Sequence, residues 1–237
     1  MNDEALSLFK SRQQAIRKEK NYYNKFIFNG HFTVFLLILL GAFIFGYGQW
    51  LQHIPQHIDY ALFASLVVAI VSLFPIRTLL KDADRLFLLP FEKHMEHYMK
   101  VSLIYSYGSR IVLQVILIIV FFPIFNKLNH NQFGFYIAFA ACALIYPYIG
   151  LLIRWDWLKL NYNKWIINLL LFLFIALTYY LILKFHNYVA LVIVLLLIGG
   201  IILLKSKARL RLFPWEKMIA IEHQHHTNYY KFVNMFT

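Results

Sequence analysis

The chain is nearly free of cysteine. Cys142 is its single thiol, which excludes an intrachain disulfide and any cysteine-cluster metal site. Charge is scarce as well: 14% of residues are charged, where a soluble domain carries about 25%. No Asp or Glu falls inside the long apolar runs, and Asp59 sits at the outer edge of one. Proton- or sodium-coupled carriers rely on intramembrane carboxylates or broken helices at mid-depth, so the composition argues against a secondary transporter. No G-x-x-x-x-G-K-[ST] occurs, so the chain carries no P-loop of its own. No A-x-A site follows the first apolar run, and the charged region before it is far longer than a signal-peptide n-region. A cleavable leader is therefore not expected.

What is abundant is apolar sequence in blocks. Hydrophobic residues make up 61% of the chain and aromatics 19%. The blocks predict six spans, at 31–51, 60–80, 103–125, 133–153, 165–185 and 188–204, each near the ~20 residues that cross hydrocarbon. The expected fold is an all-α, polytopic integral membrane protein. The net charge of +12 does not point to nucleic acid, because the basic residues alternate by loop and form no single patch. Twenty Lys and Arg fall on one side of the six-span arrangement, two on the other, and Arg110 lies within a span. The positive-inside rule then places both termini in the cytoplasm. Three regions result: a cytoplasmic amphipathic segment 1–30, a transmembrane domain 31–204 with a cytoplasmic loop 81–101, and a cytoplasmic segment 205–237.

Within segment 1–30, Leu6, Phe9, Ile16, Tyr23 and Phe26 recur at roughly helical spacing among basic residues. That pattern suits a helix lying in the headgroup region; a solvated helical tail is the plainer alternative.

The basic side carries a repeat. Leu79–Lys93 reads LLKDADRLFLLPFEK and Leu203–Lys217 reads LLKSKARLRLFPWEK, with nine of fifteen positions identical. Pro90 and Pro214 suit the first turn of a helix, where a missing N–H costs nothing. Glu92 and Glu216 then stand near a positive helix end. Phe91, Met95 and Tyr98 share one face, as do Trp215, Ile219, Glu222 and His226. The expectation is two short amphipathic helices on one side of the bilayer. Pro90, Phe91, Glu92, Met95, Pro214, Trp215 and Glu216 are candidates for docking a partner, with the aromatics as groove-filling anchors.

Arg110 carries two readings, a contact on a transport pathway or a side chain snorkelling to headgroups. His223, His225 and His226 beside Glu222, and His94 and His97 with Glu96, resemble metal ligands, but their spacing matches no metalloenzyme box; no metal or cofactor is assigned. Gly41, Gly46, Gly48, Gly199 and Gly200 suit close helix packing. Pro75, Pro123 and Pro147 suit kinks or span ends. Trp155, Trp157 and Trp165 suit an aromatic belt.

The run D-x-x-F-L-L-P-x-E-x-x-M-x-x-Y, Asp84 to Tyr98, resembles the EcsB family of ABC-transporter permeases of Gram-positive bacteria. The stretch Phe213–Ile219, FPWEKMI, followed by YYKFVN at 229–234, is similar to a second family segment. The resemblance implies a non-catalytic permease subunit in the cytoplasmic membrane, pairing with a separate ATP-binding subunit of the EcsA type. It also implies peptide export or protein secretion, and permits a homodimer of permeases. Family members continue into further membrane segments, so the chain is expected to be an N-terminal portion or a truncated member. Two rival classes remain: a membrane metalloenzyme using the histidine clusters, and a non-transporting regulatory scaffold.

Overall fold

In the computed structural model, residues 2–28, 30–55, 57–129, 132–209 and 211–234 are described. Among them every regular element is helical: α1 Asn2–Ile27, α2 Gly30–Gln52, α3 Tyr60–Ser72, α4 Asp84–Phe87, α5 Met95–Leu128, α6 Phe133–Lys159, α7 Lys164–Phe185, α8 Leu191–Ala208 and α9 Trp215–Val233, with short 3₁₀ turns at Leu89–His94 and Tyr188–Ala190. Helices α2, α5, α6, α7 and α8 are long and apolar enough to cross a membrane.

The bundle is built on α6 and α7, with α3 against α7, α5 and α8 against α6, and α1 against α5. Its centre is aromatic: Phe139, Tyr146 and Tyr179 are fully buried and meet at ring-centroid distances of 5.2 and 5.5 Å. Helix α2 has no buried residue. It is attached through Trp50 against Tyr60 and through the Tyr47 hydroxyl, which donates to the Val120 carbonyl. A Cβ at Gly41, Gly46, Gly48, Gly199 or Gly200 would meet nothing within 4 Å. These glycines are therefore not close-packing positions within this chain, contrary to the sequence expectation.

The second span also departs from expectation. Its helix, α3, has 13 residues and stops at Ser72, short of the expected span 60–80 but in keeping with Pro75 as a span end. Pro75 accounts for the stop: it has no N–H to donate and it disfavours helical backbone at Phe74. Beyond the stop the chain is irregular, yet 76–80 are all buried. Non-helical backbone at membrane depth is tolerated only when its polar groups find partners in protein or water. Next to the break a polar cluster runs through the bundle. Gln114 Nε2 donates to Ser72 Oγ at 2.9 Å, Ser72 Oγ lies 3.2 Å from the Tyr179 hydroxyl, and Tyr146 donates to Thr178 at 2.8 Å. By contrast, Pro123 and Pro147 lie inside the continuous helices α5 and α6.

The two repeats adopt different conformations. The first begins in the irregular stretch, with Leu79 at φ 54°, passes through α4, and enters the 3₁₀ turn at Leu89. Pro90 stands at the start of that turn, which runs directly into the 34-residue helix α5 at Met95, so it does not open the separate short helix expected. The second begins within α8 and ends at the start of α9. Sequence identity survives while the surroundings decide the backbone.

Candidate functional site: a clasp around the broken span

The end of the bundle where α1 and α9 lie has its own core. Phe9 of α1, Phe74, Leu79 and Leu80 of the irregular stretch, Met95, Tyr98 and Met99 of α5, Trp155 of α6, and Phe213, Trp215 and Met218 at α9 pack together. Helix α1 is thus docked on protein, with Phe9 edge-on to Tyr98 and Tyr105 at 5.2 and 5.6 Å.

Around this core, four helices satisfy the broken backbone. From α5, Ser106 Oγ accepts the Arg77 amide at 2.8 Å, Ser102 Oγ donates to the Arg77 carbonyl at 2.6 Å, and the Tyr98 hydroxyl donates to the Thr78 carbonyl at 2.9 Å. From α1, Arg12 donates to the Leu79 carbonyl at 3.2 Å and makes a bidentate pair with Asp84 at 2.6 and 2.7 Å. From α6, Arg154 donates to the Phe74 carbonyl. From α9, Glu222 accepts the Thr78 amide at 2.9 Å and pairs with the Arg77 guanidinium at 3.1 Å. Glu222 and Arg77 are both buried, so each depends on the other: removing one partner of such a pair leaves a charge without solvent or counter-ion.

Burial shapes the titration of two neighbours. It lowers Lys20 of α1 from its ordinary value, with Arg77 adding to the effect. It pushes His225 down to about 4, again with help from Arg77. His226 Nε2 stands 3.7 Å from Glu222. Among the described residues, no three His, Cys, Asp or Glu side chains are grouped as metal ligands.

The two repeats meet at the outer surface of this clasp. Glu92 Oε1 of the first accepts the Phe213 amide of the second at 2.7 Å. Arg85 of the first pairs with Glu216 of the second at 2.8 Å. A groove of about 810 Å³ runs along the crossing, with Arg85, Leu89, Arg211, Leu212, Pro214 and Lys217 among its lining.

The anchors expected from sequence lie elsewhere. Trp215 is 7% exposed and Met95 3%; Trp215 packs on Phe213 at 4.6 Å, so both are core of this chain and neither is an outward anchor. The Phe91 side chain lies outside the described residues, as does that of His94. The outward apolar residues are instead Leu86 (77% exposed), Phe87 (75%) and Leu212 (80%), with Leu89 beside them. They belong to the repeats, but at positions where helical phase alone gave no reason to choose them. Arg110 is exposed and close enough to Lys20 of α1 to influence its titration. Trp155 is buried in the same core, so of the expected aromatic belt Trp165, 73% exposed, is the clear surface member.

Arg12, Arg77, Asp84 and Arg154 escaped the sequence reading as site residues, and Glu222 entered it only beside the histidine cluster. One signal was available for Glu222: it is an acidic residue on the apolar face shared by Trp215 and Ile219, and a charge on such a face needs a buried partner.

The pattern that defines "Bacterial ABC transporter protein EcsB" matches residues 6–237. The chain belongs to the EcsB family. It is similar to "Protein EcsB" of Bacillus subtilis (strain 168), at 27% identity over 98% of this chain and 58% of that protein. The chain thus spans just over half the length of this curated relative. No solved structure matches it. The chain is thus a multi-pass membrane protein of a bacterial ABC-transporter family, and the clasp sits in an EcsB-type protein.

Proposed function

We propose that the chain is a permease subunit of the EcsAB type, in which a separate ATP-binding subunit docks where the two repeats cross. Both termini and the clasp face the cytoplasm in this reading, which the 20-to-2 distribution of basic residues supports. The observation that carries it is the connection from the crossing to the spans. The outward residues Leu86, Phe87 and Leu212 surround a surface tied by Arg85–Glu216 and Glu92–Phe213. Helix α9 leads from that surface to Glu222, which holds the backbone of the broken span at Thr78. A partner that tilts α9 while closing on ATP moves the chain at 77–78, and with it α3.

Beside the Arg85–Glu216 pair, Arg211 and Lys217 at the crossing suit an acidic rim on the ATPase and set encounter and register. The ATPase supplies hydrolysis; this chain supplies the path, with export of peptides and a link to secretion as the transport reading. The test is co-expression of a tagged chain with the ATP-binding subunit of the same cell. Stable co-purification and a changed ATPase rate in the complex support the proposal. An ATPase that never co-purifies, with this chain folded in the membrane, contradicts it.

A further inference from the structure

We propose that a cavity between α6, α7, α9 and the broken segment binds the headgroup of an anionic phospholipid. The cavity has a volume of about 310 Å³ and is lined by Arg154, Lys164 and His225, with no carboxylate in its wall. Arg154 spends one amino group on the Phe74 carbonyl. It has no ion-pair partner among the described residues, and a guanidinium has five N–H donors to place. Asn168 also lines the space, and its Oδ1 is buried without a partner. Cationic donors and an idle buried acceptor together fit a phosphodiester whose headgroup also carries a hydroxyl, the chemistry of a phosphoglycerol lipid.

The surroundings favour a lipid over a free anion. Ile167, Ile221 and Trp165 share the lining, so the polar groups sit in an apolar wall. Trp165 is exposed at the start of α7, and Ile166, Leu169 and Leu173 beyond it are exposed along the same helix. Such a surface continues from an interfacial aromatic to hydrocarbon depth, where acyl chains run. Basic pockets between spanning helices are the usual form of anionic headgroup sites. The site meets the repeat crossing only at Leu158 and does not rest on the ATPase docking there.

The experiment uses the whole chain purified in detergent, with thermal unfolding and native mass spectrometry read after adding phosphatidylglycerol, phosphatidylcholine or inorganic phosphate. The proposal expects phosphatidylglycerol alone to raise the unfolding temperature and to remain bound. It expects Lys164→Gln and Arg154→Gln each to weaken that binding about tenfold, the loss of one charge-assisted contact. Arg154→Gln also removes a donor from the broken backbone and can unfold the chain. Lys164→Gln changes an exposed side chain and is the deciding variant. Equal stabilisation by phosphatidylcholine overturns the proposal, as does wild-type phosphatidylglycerol binding in folded Lys164→Gln. Full protection by inorganic phosphate overturns the lipid assignment and leaves a site for a soluble anion.

Discussion

Glu222 and Arg77 are 145 residues apart in sequence and 3.1 Å apart in space. Through them the helix that follows the second repeat grips the stretch that leads into the first. Breaking such a buried pair by removing one partner costs about 3–5 kcal/mol. Glu222→Gln keeps the shape and an acceptor for Thr78 but strands Arg77. We expect a large fall in unfolding temperature for Glu222→Gln and for Arg77→Met. The double variant should recover part of the loss, because no buried charge is left unpaired. Strictly additive losses would show that the two side chains do not act as a pair.

Arg12 is expected to tolerate no substitution by lysine. An ammonium cannot reproduce the two parallel bonds to Asp84 while also reaching the Leu79 carbonyl. Arg12→Lys should loosen α1 and speed tryptic cleavage at Arg17 and Lys18, which are exposed. Unchanged protection of α1 would mean that Phe9 and its aromatic contacts hold the helix alone.

The sidedness is tested by labelling. In intact cells carrying Cys142→Ala, a cysteine at His57 should react with an impermeant thiol reagent and one at Gln224 should not. The reverse pattern inverts the topology and removes the repeat crossing from the ATPase side.

His225 gives a pH prediction. Its imidazole, packed near Arg77, Glu222, Lys20 and His226, is held down to about 4 from an ordinary 6.5. A lowered histidine favours the folded state while it is neutral. That contribution is complete above the unfolded value and is lost as pH falls through the folded one. The unfolding temperature in detergent should therefore drop between about pH 6.5 and pH 4, and His225→Gln should flatten that part of the profile. An identical profile in the variant would assign the acid sensitivity to other groups.

Much of the architecture was readable from residues because lipid demands long apolar blocks; α2, α5, α6, α7 and α8 stand where those blocks are. The break in the second span was half legible. Pro75 signalled an end, but the apolar residues after it, such as Leu79 and Leu80, look the same whether they face lipid or a protein core. The orientation of the repeats was not legible. Trp215 at a helix start reads as an exposed anchor or as core with equal ease, and packing against Phe213, which itself lies on Trp155, settles it only in three dimensions. The clasp was hidden for another reason: Arg77 and Glu222, or Arg12 and Asp84, are distant in sequence, and no local periodicity relates them.

The central claim is that the ATP-binding partner reads the outward residues of the crossing repeats. It is tested most directly by measuring the affinity of the purified ATPase for folded, detergent-solubilised variants at matched concentration. Phe87→Ala and Leu212→Ala should leave the unfolding temperature near wild type. If they are interface hot spots, each truncation costs about 2 kcal/mol or more, roughly a 30-fold loss of affinity. Trp215→Ala should behave oppositely, destabilising the chain itself by about 3–5 kcal/mol, as large-to-small core substitutions do. Wild-type affinity in both Phe87→Ala and Leu212→Ala, with the ATPase still responding to the chain, would contradict the account and move the docking surface elsewhere.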